Sequence, residues 1–339
     1  MNFIDLQKQY QLYKDEILTE IEKVLEAASF IRGPFLKDFE DKLKSHSGAR
    51  HAIGCSSGTD ALLLGLMAKD VKAGDEVIIP DFTFISTAEV VALLGAVPVF
   101  TDILPDTFNI DPEEIEKKIG PKTVGIIPVS LYGQCADMDA INTLAKKNGL
   151  WVMEDAAQSY GAEYKGKKSC TLSELSTTSF FPAKPLGCYG DGGAIFTSDD
   201  ALAEKIRVLL NHGQAQRYRH SLIGVNGRLD ALQAAILNVK LEHFDEEMDK
   251  KRAVATAYSK RLEGIVDTPV VKDNNVSVWA QYTVRTQKRD EVTAYLKEKG
   301  IPTAIHYPIP LHKQEAFAYL EAVDSDFPVS NKLSNEVFS

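Results

Sequence analysis

Residues 137–155 read DMDAINTLAKKNGLWVMED and predict a helix followed by a buried strand. The segment Asp137–Asn148 is typical of a helix, and Gly149 ends it. Leu150–Met153 is a short apolar run, which indicates a strand that ends at Glu154-Asp155. Ligands of open parallel sheets bind beyond the carboxyl ends of the strands, so we expect Asp155 to border a binding site.

The same alternation of strand and helix extends on both sides of this segment. The predicted strands are Glu76–Pro80, Ala96–Thr101, Val124–Val129, Leu175–Phe181 and Gly193–Thr197. The predicted helices are Tyr10–Ala27, Thr87–Leu94, 111–119 and Asp199–Leu210. This rhythm predicts an α/β fold in which a mainly parallel sheet is flanked by crossover helices.

The pattern changes towards the C-terminus. A charged helical stretch from Leu229 to about Leu262 precedes a segment that we predict to be rich in strands (Val276–Arg285), with a helix at Arg289–Lys299. At 339 residues the chain is long for a single core. We therefore predict a large domain over residues 1–245 and a smaller α+β domain over residues 246–339.

Composition and charge exclude several classes of protein. A formal net charge of −10 argues against nucleic-acid binding, which needs a basic surface. No apolar run approaches the roughly eighteen residues of a membrane span, and no signal peptide follows Met1, so we expect a cytoplasmic protein without membrane contact. The spacing of the four cysteines fits neither a zinc site nor a disulfide framework, so we expect reduced thiols and no metal.

Lys184 is the first candidate for chemistry. It follows a predicted strand, and apolar neighbours would desolvate its amine and make it easier to deprotonate, as a Schiff-base lysine requires. The alternative is an ordinary surface lysine in a loop. Asp155 could keep a pyridine nitrogen protonated, or it could cap the next helix. Gln158 could donate a hydrogen bond to a ring oxygen, or it could be a polar loop residue.

The segment 56–63, SSGTDALL, predicts a phosphate site. Small residues open a helix there, and its free backbone N–H groups favour an anion; a simple capped helix is the alternative. The hydroxyl of Ser179 could complete that site. Phe84 could lie flat on a heteroaromatic ring, or it could be a core aromatic.

Four separated motifs resemble those of the DegT/DnrJ/EryC1/StrS family of sugar aminotransferases. They are residues 57–62 (SGTDAL), Asp155-x-x-Gln158, Ser179-x4-Lys184 and residues 190–193 (GDGG), in the family's order and spacing. The resemblance runs through nearly the whole chain. It implies an aspartate-aminotransferase-like fold of type I, pyridoxal 5'-phosphate as cofactor, and a homodimer with shared active sites.

The resemblance also implies roles for single residues. Lys184 matches the lysine that carries the cofactor, whereas related sugar dehydratases have histidine there. Asp155 matches the partner of the pyridine nitrogen and Gln158 the ring-oxygen contact, while Phe84 matches the stacking residue. The phosphate ligands are matched by Gly58, Thr59 and Ser179, and by Asn226, which in this family reaches the phosphate from the other subunit.

The resemblance extends to the substrates. It implies L-glutamate as amino donor, and the sequence is most similar to enzymes that act on UDP-2-acetamido-2-deoxy-3-oxo-glucuronic acid in the biosynthesis of surface polysaccharides such as O-antigen and lipopolysaccharide. A uronate carboxylate requires a cation, for which Arg228 is the candidate, with a structural salt bridge as its alternative role. His306 and Tyr307 are expected near the sugar.

Three alternatives remain at this point. Enzymes of dTDP-linked 3-keto-6-deoxyhexoses share much of the motif pattern. A protein that binds the cofactor without catalysis and acts as a regulator is an alternative of another class. A nicotinamide dehydrogenase is disfavoured, because no GxGxxG motif follows the first strand. Members of the family that this sequence resembles continue beyond the position that matches Ser339. We therefore expect the small domain to be truncated at its end.

Overall fold

The structure, a computed structural model, describes residues 3–339 and contains a seven-stranded central sheet. The N-terminal half comprises α1 (Leu6–Ala27), α2 (Pro34–Ser47), β1 (His51–Cys55), α3 (Gly58–Ala68), β2 (Glu76–Pro80), α4 (Ser86–Leu93), β3 (Val97–Thr101), α5 (Pro112–Lys118), β4 (Thr123–Ile126), α6 (Met138–Asn148) and β5 (Trp151–Asp155). The predicted helix and strand on either side of Gly149 are confirmed, and Gly149 adopts the left-handed conformation that ends α6.

The rest of the chain completes the sheet and adds helices. Its elements are β6 (Glu163–Tyr164), β7 (Lys167–Lys168), β8 (Leu175–Ser179), β9 (Gly193–Thr197), α7 (Asp200–Leu209), β10 (Gln214–Gln216), β11 (Arg219–His220), α8 (Ala231–Glu242), α9 (Phe244–Leu262), β12 (Asn275–Val276), β13 (Val284–Arg285), α10 (Arg289–Glu298), α11 (Pro328–Glu336) and β14 (Val337–Phe338). Short 3₁₀ turns lie at Leu131–Gly133, Leu311–Lys313, Glu315–Leu320 and Asp324–Asp326.

The strand order of the central sheet is β1-β9-β8-β5-β4-β2-β3. The pairs among β8, β5, β4, β2 and β3 are parallel, whereas β9 runs antiparallel to both of its neighbours. The mainly parallel sheet is thus confirmed, with one reversed strand. Because β5 and β8 are parallel neighbours, Asp155 and the loop after Ser179 lie at the same edge of the sheet.

Side chains alternate between two apolar layers on opposite faces of this sheet. Ile78 and Val152 face a core that includes Phe39, Phe180 and Phe244. The next residues along the same strands, Ile79 and Met153, belong to a second core with Ile53, Leu64 and Ile195. Helices therefore cover both faces, as in other α/β proteins.

Two predictions about the C-terminal part were wrong. The predicted helix 229–262 is interrupted at His243 between α8 and α9. The segment Val276–Arg285, predicted to be rich in strands, has strand residues only at its two ends, where Val276 pairs with β6 and Val284 pairs with β14. Residues 277–283, between these ends, belong to no strand.

All seven strands of the central sheet lie within residues 51–197, and α9 begins at Phe244. The domain boundary near residue 245 stays a prediction. The four cysteines are buried and unbridged. Among the helices of residues 3–339, none is both long and apolar enough to cross a bilayer.

Candidate active site

Lys184 lies in the loop between β8 and β9, at the carboxyl edge of the parallel strands. Its backbone N–H donates to the Phe181 carbonyl (2.8 Å), and the flanking Phe180 and Leu186 are buried. Burial lowers the pKa of the Lys184 amine, and the negative charge of Asp155 opposes this shift. The amine therefore faces a desolvated pocket that contains a carboxylate, which excludes the simple surface-lysine alternative.

Asp155 is the last residue of β5 and is buried. Its Oδ2 accepts a hydrogen bond from Thr87 Oγ1 (2.9 Å), and its Oδ1 accepts one from the Ala157 N–H (3.1 Å). Burial raises the pKa of this carboxyl, while the two hydrogen bonds and Lys184 lower it. No helix follows directly, so Asp155 caps a turn and the helix-cap alternative is wrong.

Gln158 is buried beside Asp155 and is fully oriented by its neighbours. Its Oε1 accepts from the Tyr132 N–H (2.8 Å), and its Nε2 donates to the Tyr307 hydroxyl (3.2 Å). The structure thus brings Tyr307 into the group around Lys184, from a segment 149 residues away in sequence. Burial and the nearby Asp155 charge raise the pKa of Tyr307.

Phe84 lies next to Tyr307 and is exposed. Its ring centroid lies 6.1 Å from that of Tyr307, and the residue is 54% exposed. A core aromatic would be buried, so the core alternative for Phe84 is wrong. An exposed aromatic face next to a buried acid and amine is available for stacking on a planar ligand.

The start of α3 forms the predicted anion site next to Ser179. Ser57 caps the helix by accepting from the Asp60 N–H (3.0 Å), and Thr59 Oγ1 lies 2.9 Å from Ser86 Oγ. A Cβ on Gly58 would come within 2.6 Å of Ser179 Cβ. Only glycine therefore permits this close approach of the helix start to Ser179, and the first N–H groups of the helix have no intrahelical acceptor.

His306 lies near Lys184, whereas Asn226 and Arg228 contact Asn211. Burial and the charge of Lys184 lower the pKa of His306, and its buried Nδ1 has no hydrogen-bond partner among residues 3–339. Asn226 is exposed and bridges to Asn211. Arg228 Nη1 donates to Asn211 Oδ1 (2.8 Å), so the salt-bridge alternative is replaced by a hydrogen bond to an amide.

Arg228 borders a cavity of about 180 Å³ that is not lined by Lys184, Asp155 or Gln158. Arg32, Lys37, Glu40 and Arg207 also line that cavity. Within the described part of the chain, no hydrogen bond joins Arg228 or Asn226 to the residues around Lys184. Their predicted contacts with the phosphate and the sugar stay predictions.

Sequence reasoning missed Thr87 and Tyr132. Thr87 holds Asp155, and the Tyr132 hydroxyl donates to the His306 carbonyl while its backbone N–H holds Gln158. Thr87 begins a predicted helix, and Tyr132 lies just beyond the predicted strand Val124–Val129. Their roles arise from contacts between distant segments, for which a single sequence contains no local signal.

Comparison with known proteins identifies the family of this chain. Residues 11–339 match the model of the DegT/DnrJ/EryC1/StrS aminotransferase family. The chain belongs to that family. The predicted pyridoxal-phosphate cofactor, the aminotransferase activity and the type I fold are therefore confirmed.

Individual relatives cover the chain from end to end. A UDP-2-acetamido-2-deoxy-3-oxo-D-glucuronate aminotransferase of Pseudomonas aeruginosa is 54% identical over 340 residues, which span 100% of this chain and 94% of the relative. A pleiotropic regulatory protein of Geobacillus stearothermophilus is 47% identical over 99% of this chain and 91% of its own length. The crystal structure of S. venezuelae DesV in complex with a ketimine intermediate superposes with a TM-score of 0.98 at 39% identity, covering 100% and 92% of the two chains.

The side chains of this site fit the family's cofactor. A buried carboxylate at Asp155 can pair with a protonated ring nitrogen, and Lys184 supplies an amine of lowered pKa nearby. The close contact of Gly58 with Ser179 leaves backbone N–H groups for a phosphate. An acid, an amine and an anion site thus occur together at one edge of the sheet.

Proposed function

We propose that this aminotransferase transfers the amino group of L-glutamate to C3 of UDP-2-acetamido-2-deoxy-3-oxo-glucuronic acid. The observation that carries the chemistry is the desolvated Lys184 amine that faces the buried Asp155 carboxylate. The substrate rests on the 54% identity with the Pseudomonas aeruginosa enzyme, which extends over all of this chain.

Lys184 has two roles in this proposal. Its Nζ would hold the cofactor covalently at rest, and the same amine, once the amino donor has displaced it, would serve as the base and then the acid that moves a proton from the donor Cα to the cofactor. A lowered pKa favours the neutral amine that this proton transfer requires. When bound, the cofactor supplies an electron-withdrawing ring that stabilises negative charge on the reacting carbon.

Asp155 keeps the ring nitrogen protonated, which maintains that electron withdrawal. Its hydrogen bonds from Ala157 and Thr87 favour the ionised carboxyl and so oppose the effect of burial. Gln158 would contact the ring oxygen, and Phe84 would stack on the ring.

Gly58, Thr59 and Ser179 bind the phosphate through the start of α3 and two hydroxyl groups. Asn226 completes this site from the partner subunit of a homodimer. The exposure of Asn226 supports a contribution across an interface.

His306, Tyr307 and Arg228 select the sugar. His306 and Tyr307 lie over the same pocket as Lys184, and the unpartnered His306 Nδ1 is available to a sugar hydroxyl. Arg228 meets the uronate carboxylate at the partner's site. A role in cytoplasmic synthesis of a surface polysaccharide such as lipopolysaccharide O-antigen follows from that substrate.

The test is the visible spectrum of the protein with pyridoxal phosphate, before and after glutamate. We expect the absorbance of the lysine-bound cofactor in the wild type, its conversion by glutamate, and neither in Lys184→Ala. Lys250→Ala, which removes an exposed lysine paired with Glu246, should behave as wild type. A wild-type spectrum that glutamate leaves unchanged would favour a non-catalytic regulator.

The sugar is then tested with the glutamate-treated enzyme. The 3-keto UDP-uronate should restore the original spectrum faster than a dTDP-linked 3-keto-6-deoxyhexose does. Arg228→Gln should reduce this preference, because it removes the cation that the carboxylate needs. A preference for the dTDP sugar would replace the proposed substrate and leave the aminotransferase chemistry intact.

A further inference from the structure

Residues 306–312, HYPIPLH, form a strap that ends in a second histidine. The strap begins with His306 and Tyr307 over the Lys184 pocket. Pro308 and Pro310 fix two φ angles between the two ends, which limits the conformations of the strap. The far end is His312, which takes no part in the proposed chemistry.

His312 is bound on three sides. Its Nδ1 lies 2.8 Å from Asp81 Oδ2, and its backbone N–H donates to Asp81 Oδ1 at 2.8 Å. Its Nε2 lies 2.9 Å from Asp324 Oδ1, and its ring stacks on Phe327 with centroids 4.4 Å apart. Both ring nitrogens face carboxylates, and imidazole donates from both only when it is protonated.

Asp81 joins His312 to the rim of the active site. It directly follows β2, is fully buried, and precedes Phe82 and Phe84 in the chain. The Asp81 carbonyl also accepts from the Leu311 N–H (2.9 Å). The ring of Tyr307 lies 6.3 Å from Phe82 and 6.1 Å from Phe84, so one aspartate fixes the strap and the aromatic segment relative to each other.

The charges around His312 favour its protonated form. Burial lowers the pKa of His312, but the hydrogen bonds with Asp81 and Asp324 outweigh this effect and raise it. Burial raises the pKa of Asp81, and His312 opposes that shift. The other charged groups near this pair are Asp102 beside Asp81, Lys313 on Asp324 (2.9 Å), Lys118 over the Phe327 ring, and Asp326 on Lys118.

We propose that protonated His312 is a positioning residue that holds the strap, and thereby Tyr307 and His306, in the arrangement that binds the nucleotide sugar. This inference rests on the proposed function. Lys184 and Asp155 are positioned by β8, β5 and Thr87, and the strap reaches them indirectly, through the Tyr307 hydroxyl that accepts from Gln158. Loss of the His312 contacts should therefore impair sugar binding more than the reaction with glutamate.

The sign of the pH effect follows from the raised pKa. The His312 ion pair stabilises the strap fully below the ordinary pKa of histidine, and this contribution is lost as the pH rises through the elevated value. The KM for the nucleotide sugar should therefore increase on the alkaline side.

Two near-isosteric substitutions separate the two contacts of the ring. The amide nitrogen of His312→Asn can take the position of Nδ1 and donate to Asp81, whereas that of His312→Gln reaches towards Asp324. We expect His312→Gln to raise the KM for the nucleotide sugar about tenfold, the effect of losing one hydrogen bond to a buried charge. Like neutral imidazole, His312→Asn keeps one donor to Asp81, so at every pH its KM should equal the raised value that the wild type reaches on the alkaline side.

The measurements are the KM for the sugar between about pH 6 and 9, where an imidazole titrates, and the rate of cofactor conversion by glutamate. His243→Asn is the matched control, because His243 pairs with Glu16 on the surface. Equal KM values and equal pH profiles in wild type and both His312 variants would overturn the role of His312. Absence of the glutamate reaction in the wild type would instead overturn the proposed function.

Discussion

The Thr87 hydroxyl donates a 2.9 Å hydrogen bond to the carboxylate of Asp155 across 68 residues of sequence. Thr87 belongs to the first turn of α4, and Asp155 ends β5. Both residues are buried, so water does not compete for this bond. Burial raises the pKa of the Asp155 carboxyl, and the bond from Thr87, together with that from the Ala157 N–H, opposes this shift.

We expect Thr87→Val to reduce aminotransfer about tenfold, since a hydrogen bond to a charged group contributes roughly 1.5–3 kcal/mol. Valine keeps the shape of threonine but leaves Asp155 with one donor fewer. The rate of cofactor conversion by glutamate measures the effect. Thr87→Ser retains the hydroxyl and should recover most of the rate, whereas equal losses in both variants would assign the effect to packing.

Gly58→Ala should weaken cofactor binding. Its Cβ would meet Ser179 Cβ at 2.6 Å, so either the start of α3 or Ser179 must move, and both belong to the proposed phosphate site. Spectroscopic titration with pyridoxal phosphate gives the affinity. Gly120→Ala is the control, since its Cβ would have only ordinary contacts at 3.6 Å and beyond. Unchanged affinity in Gly58→Ala would separate Gly58 from the phosphate site.

Glu154 offers a pH-dependent prediction. This buried carboxyl accepts from the hydroxyls of Ser130 (3.0 Å) and Ser169 (2.8 Å) and from the Cys170 N–H (2.9 Å). Burial raises its pKa, so the folded state binds this proton more tightly than the unfolded state. The group therefore reduces stability as the pH rises above its ordinary pKa of about 4.3, and has no such effect below it.

Glu154→Gln should fold and should gain stability relative to the wild type between about pH 5 and 8. A glutamine can accept from Cys170 with its oxygen and donate to Ser130 and Ser169 with its nitrogen. Glu154→Leu leaves these groups without partners and should lose about 1–3 kcal/mol for each. Urea unfolding at several pH values measures both effects, and a Gln variant whose stability parallels the wild type throughout would contradict the raised pKa.

The sequence predicted those elements whose signals are local. Gly149 ends α6 because glycine adopts the left-handed conformation without strain, and the apolar run after it could only be a buried strand. The motifs around Asp155 and Lys184 predicted one site because parallel strands bring their carboxyl ends to one edge. By contrast, the antiparallel direction of β9 was not predictable, because the apolar pattern of a strand does not depend on its direction in the sheet.

The remaining features depend on contacts between distant segments. The charges and apolar residues of 229–262 continue at helical spacing through His243, so nothing in the pattern marks the interruption there. Thr87, Tyr132 and His312 act through partners that folding alone brings near. The predicted contact of Arg228 with a substrate carboxylate stays a prediction, because within its own chain the guanidinium donates to Asn211.

The proposed contribution of Asn226 across a dimer interface is tested by mixing two inactive variants. Asn226→Asp places a negative charge against the phosphate and should abolish cofactor binding in the partner's site, while Lys184→Ala removes the reactive amine. Neither homodimer should transfer an amino group. In a mixed dimer with two-fold symmetry, one site receives both substitutions and the other receives neither. Random reassociation should then restore about a quarter of the wild-type activity, whereas an Asn226 that serves its own subunit would leave every mixed dimer inactive.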